Sequence, residues 1–161
     1  MPRWDRVFSR ADVSEDVNAR FGAGPFASRV LSACLLPVMM VVTIAALQGA
    51  SIRFLMLWVC PAAVVVALVA TAIALYTTIG RVFVREDAAA VQTMWDVLFT
   101  RGAPTAWFRV IDFSSDKSHV SATIGLSAYR LSRDRWPQFE PLCDALRQAH
   151  QFQNDPPRAN S

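Results

Sequence analysis

The strongest constraint on this chain is the absence of charge from two consecutive stretches. Residues 54–79 contain no Asp, Glu, Lys, Arg or His over 26 positions, and between residues 30 and 53 the only charged side chain is Arg53. Such segments have no polar face to offer water, which a helix of a small soluble domain requires. A helix crossing ~30 Å of hydrocarbon needs about 20 mainly apolar residues. Residues 30–47 supply 18, or 21 if the run extends to residue 50, and the second run is longer. The sequence therefore predicts a two-helix transmembrane hairpin over residues 30–80, with spans near 30–50 and 54–79. The stretch "LQGASIRF" (47–54) is then its turn outside the membrane. The first run does not read as a cleavable leader, because 29 residues precede it and no small-x-small site follows Leu47.

The arginines orient the hairpin. Arg3, Arg6, Arg10, Arg20 and Arg29 precede the first span, Arg81 and Arg85 follow the second, and the turn offers only Arg53. Lys and Arg close to span ends favour the cytoplasmic face. Both termini are thus expected in the cytoplasm, with the chain integral to a cell or inner membrane. The net charge of +3 suits contact with anionic lipid headgroups and gives no reason to expect nucleic acid.

Around the spans, several residues carry interface or packing signals. Trp4, Val7, Phe8 and Ala11 share one helical face within residues 2–11, with Arg3, Arg6 and Arg10 beside them. That pattern fits an amphipathic helix lying in the headgroup layer, or else a disordered basic tail. "GAGP" (22–25) breaks the chain before the first span. Trp58 and Tyr76 stand near opposite ends of the second span, where interfacial anchors belong. Ala63, Ala67 and Thr71 repeat every four residues, as do Ala70 and Ala74 one face over, which allows close helix approach in lipid. Pro37 and Pro61 each remove a backbone donor and are expected to bend the spans.

Past the spans, residues 81–152 read as a small cytoplasmic α+β module. Glu86 and Asp87 suggest a helix start for 86–100, although Val91, Trp95, Val97 and Phe99 also alternate as in a strand. "TAWFRVIDF", "SSDKS" and "HVSATIGLSAYRL" predict a β-hairpin whose second strand buries Val120, Ala122, Ile124, Leu126 and Ala128. A C-terminal helix begins near Phe139, with Pro141 in its first turn and Leu142, Leu146 and Ala149 inward. Residues 153–161 are expected to form a disordered tail, and residues 1–29 a cytoplasmic N-terminal tail that holds the candidate interfacial helix.

Motifs for chemistry do not emerge. His119 and His150 lie on separate elements, and Asp112, Asp116 and His119 near a turn make a poor metal site. Cys143 and His150 are about two helical turns (~10 Å) apart, too far for a nucleophilic pair. Cys34 and Cys60 sit at different depths in the hairpin and cannot pair. No catalytic, cofactor or metal residue is assigned. "RLSRDRW" (130–136) is the densest basic patch after the spans and either meets anionic lipid or an acidic partner or is simply solvated. The expected function is a non-enzymatic membrane accessory subunit that engages another membrane protein or a second copy of itself. The alternative is a small oligomeric channel or transporter component lined by Thr43, Thr71, Thr77 and Thr78.

Overall fold

A computed structural model describes residues 6–17, 21–49, 51, 53, 55–100, 102, 104 and 106–154. Helix α1 (Gly24–Leu47) opens with Pro25 in its first turn, where a missing N–H leaves no bond unmade. Just past its end, Gly49 adopts a left-handed conformation (φ 83°) that a side chain would resist. A π-helical turn (Leu55–Val59) then leads into α2 (Cys60–Thr77). Pro37 lies inside α1, whereas Pro61 falls in the first turn of α2, after the π turn has absorbed the irregularity.

The 24 residues of α1 and the 21 residues Leu57–Thr77 correspond to ~36 and ~31 Å at ~1.5 Å per residue. Both are long and apolar enough to cross a membrane. They pack on one another, yet α1 buries no residue and α2 buries only Ala67, Thr71 and Leu75. A core helix of a soluble domain would hide most of its apolar side chains; here they point outward.

Strand β2 (Ile79–Val84) follows α2 after a single residue. The chain preceding the hairpin returns to it: β1 (Arg6–Ser9) pairs antiparallel with β2, placing Phe8 opposite Val82. On the other edge lies β3 (Ala89–Thr93), giving the order β1-β2-β3. Thr93 and Asp96 then form a capping box that starts the short helix α3 (Met94–Phe99). Paired bonds between Ala89 and Phe108 (2.8 and 2.9 Å) join this sheet to the segment before the second one. That second sheet is a meander of β4 (Val110–Ser115), β5 (His119–Ile124) and β6 (Ser127–Ser132). A 3-10 turn (Arg133–Arg135) precedes α4 (Phe139–Asn154).

One core draws on both sheets and α4. Phe8, Val82, Val110, Val120, Ile124, Leu131, Phe139, Leu142 and Leu146 are all buried in it. A second, smaller cluster sits where the hairpin meets the module. Val13, Ala23 at the start of α1, Leu75 at the end of α2, and Met94 and Val97 of α3 form it. Gly80 belongs to this junction, since a Cβ there would stand 3.0 Å from Val97 Cγ2 and 3.2 Å from Met94 Sδ.

Several sequence expectations need correction. The described part of the supposed interfacial helix, residues 6–9, is a strand, and Phe8 lies in the module core rather than in the headgroup layer. Pairing with a distant strand outweighs the local helical spacing. Residues 1–29 are thus not simply a tail. Segment 86–100 is neither all helix nor all strand: it is β3 followed by α3. The single long strand over 119–131 is two strands, because Gly125 (φ 63°) turns the chain; Leu126 at that turn is fully exposed and Ala128 faces outward. The C-terminal helix runs to Asn154, past the expected start of the tail, and the rest of that tail lies outside the described residues, as do Arg3 and Trp4.

Candidate functional site at the hairpin–module junction

The module end of the hairpin concentrates the polar and aromatic groups that a membrane boundary would use. Tyr76, in the last turn of α2, stacks on Trp95 of α3 with centroids 4.5 Å apart, and Trp95 touches Phe99 at 4.4 Å. Tyr76 and Phe99 keep more than half of their surface exposed. Rings with an apolar body and a polar edge partition to the headgroup level. Sequence reasoning named Tyr76 as an anchor but not Trp95 or Phe99, because it began their helix near Glu86 rather than at Met94. The Thr-x-x-Asp pair at 93–96 was the missed signal. Trp58, at the other end of the second span, is also largely exposed.

The small-residue stripe is used within the hairpin. Ala67 and Thr71 are buried, and Ala63, Ala70 and Ala74 are half-buried. Helix α1 packs along α2, and small residues such as Ala67 and Thr71 let two helices approach closely. The Thr71 hydroxyl donates to the Ala67 carbonyl (2.7 Å), Thr43 to Met39 (2.8 Å) and Thr77 to Ile73 (2.9 Å). Each hydroxyl is satisfied on its own helix, as lipid surroundings would demand.

Two arginines fasten the preceding chain to the base of the hairpin. Arg81, first charged residue after α2, is 1% exposed. Its Nη2 donates to the carbonyls of Ser14 (2.6 Å) and Asp16 (2.7 Å), and its Nη1 to that of Val17 (3.3 Å). Burial pulls its pKa below the ordinary arginine value, and the Asp16 charge opposes the shift. Arg10 is likewise buried, with its guanidinium 5.3 Å from the Phe26 ring centroid. Asp12 stands 3.5 Å from its Nε and bonds Arg29 Nη1 at 2.6 Å with its other oxygen. Desolvation first, then the charge of Arg135, lower the Arg10 pKa, against Asp12 and Asp134. Arg6 is exposed at the start of β1, and Arg85 lies 4.0 Å over the Trp107 ring.

The residues of catalytic type are held in structural contacts. His150 sits 3.1 Å from the Val110 carbonyl, which sets Nδ1 as the donor, and its Nε2 meets Asn154. Ser118 Oγ (3.0 Å) and Asp116 Oδ2 (3.9 Å) both approach Nδ1 of His119, while Arg130 faces Nε2 at 3.3 Å. A nucleophile and its orienting acid must use opposite ring nitrogens, so these three residues cannot relay a proton. Cys143 is buried in the core, and burial, then Glu140 and Asp144, push its thiol pKa up, away from the reactive thiolate. Among the described residues no group of three His, Cys, Asp or Glu is placed to hold a metal ion. No protein-family model matches the chain, and neither a curated protein nor a solved structure is similar enough to name beside it.

Proposed function

We propose that this chain is an integral membrane accessory subunit without catalytic activity of its own. In this reading the hairpin spans the bilayer, both termini are cytoplasmic, and the module is displayed at the inner surface for another membrane protein or a second copy. One observation carries it: the module is built onto the base of the hairpin. Leu75 and Ala23 of the two spans share a cluster with Val97 of α3, and Arg81 ties residues 14–17 down beside them. A module mounted this way transmits position rather than swinging on a linker. The arginine bias between the tails and the turn supports the orientation, because that rule acts on the chain as it inserts.

The channel reading draws less support. Thr71 is buried inside the hairpin, and the hydroxyls of Thr43, Thr71 and Thr77 bond back to their own helices instead of facing a shared path. Photo-crosslinking in the native membrane separates the readings. A crosslinker at Val66, on the outer face of α2, should give a discrete protein adduct, and one at the buried Ala67 should not. Only lipid adducts at Val66, together with ion flux from purified protein in liposomes, would replace the accessory role with the channel.

A further inference from the structure

A cleft of about 280 Å³ opens between the module end of α2 and β6, and its wall is unusually basic. Arg10, Arg130 and Arg135 all line it, with Thr77 and Thr78 from the end of α2 at one side. These arginines come from three places in the sequence: the end of β1, the middle of β6 and the turn before α4. The bond from Ala11 N to the Arg135 carbonyl (3.1 Å) holds two of these places together.

The acids nearby do not balance this charge. The carboxylate paired with Arg10 among the described residues, Asp12, is shared with Arg29, whose bond to it is the shorter, and Asp134 acts on Arg10 only as a weaker, more distant charge. Among the described residues the buried Nε of Arg10 has no hydrogen-bond partner, Asp12 standing 3.5 Å away, and its side chain is only 8% exposed. Among the described residues Arg135 has only an exposed pairing with Asp134 at 4.0 Å, and Arg130 meets the His119 ring instead of an acid. A buried guanidinium with an unpartnered Nε and the Arg135 charge beside it is costly unless an anion completes it. Phosphate fits: its oxygens accept from guanidinium forks in pairs.

We propose that this cleft binds a phosphate ester, supplied as the headgroup of an anionic phospholipid in the leaflet facing the module. Depth selects the lipid source. Thr77 closes α2, so in the membrane-spanning reading, on which this inference rests, the cleft opens at headgroup level. The Thr78 hydroxyl, without a partner among the described residues, adds a neutral donor at the rim.

The test uses the full chain in neutral detergent, with short-chain phosphatidic acid as the probe and phosphatidylcholine and inorganic phosphate as comparators. Native mass spectrometry or calorimetry should show phosphatidic acid binding in clear preference to both. Arg130→Gln and Arg135→Gln alter exposed side chains and should leave folding intact. Each should weaken phosphatidic acid binding by roughly tenfold, the scale of one charged hydrogen bond. Arg147→Gln, a surface change beside Asp144 and Phe113, should leave it unchanged. Equal binding by the Arg130/Arg135 double variant and the parent chain would overturn the site. Inorganic phosphate binding as tightly as the lipid would overturn the lipid source. Membrane anchoring is read separately by alkaline extraction: release from membranes sinks the spanning reading itself, whereas retention without lipid preference sinks only the cleft.

Discussion

At the residue scale, Arg81 shows how one side chain can serve two stages of a protein's life. As sequence it is a positive charge directly after an apolar span, the kind of residue that decides orientation during insertion. In the folded chain it is hidden from both lipid and water, with its fork spent on three carbonyls of residues 14–17. Replacing it with methionine keeps length and apolar stem but removes every donor. Hydrogen bonds to a charged group contribute roughly 1.5–3 kcal/mol, partly offset here by relief from burying the charge. Arg81→Met should therefore speed protease cleavage within residues 14–22 in detergent-solubilised protein while α2 stays intact. Arg81→Lys should resemble it, since an ammonium cannot reach three acceptors in a fork. Unaltered cleavage in both variants would mean the loop is held by something other than this guanidinium.

At the element scale, turns and pairing matter more than periodicity. The apolar alternation from Val120 through Ala128 runs without a break, so nothing in the pattern marks where β5 ends. Gly125 decides it, by taking a positive φ with its α-carbon face closed off by Phe108, 2.9 Å from where a Cβ would lie. The consequence is a sharp contrast between neighbours. Ile124→Ala should cost about 2–5 kcal/mol, as core truncations do. Leu126→Ala should stay within about 0.5 kcal/mol, as surface changes do. Denaturant unfolding of the solubilised chain measures both, and a large loss at Leu126 would place a partner over that turn. Elements set by local chemistry could be read from the sequence: the two spans by their missing charges, the α4 face by its Phe139, Leu142 and Leu146 spacing. Elements set by distant pairing could not. Residues 6–9 carry helical spacing as well as strand-forming Val7 and Phe8, and only the presence of β2 across the hairpin chooses between them. The basic cleft was half visible, as Arg130 and Arg135 in one patch, but its third arginine arrives from β1.

At the scale of the whole molecule, the module is discontinuous. Its first strand precedes the hairpin and everything else follows, so the hairpin is an insertion between β1 and β2. Removing residues 1–13 takes away Phe8, Arg10 and Val13, which no later residue replaces. The truncated chain should still integrate, with a cysteine at Ser51 labelled from outside intact cells, while its module becomes protease-sensitive. A module as resistant as in the full chain would show β1 to be dispensable. The pairing of β1 with β2 also has a bearing on biogenesis. Strand β1 is made before the hairpin and, if the two helices cross the membrane, has no partner until both have been threaded. In that reading, failure of either span to insert would leave the two strands on opposite sides of the bilayer, and the sheet could not close. A bare edge on β2 and an unfilled place in the core where Phe8 belongs would then remain. In the membrane-spanning reading, completion of one small sheet would therefore record that both spans have been threaded, and a misthreaded copy would be left with that sheet open.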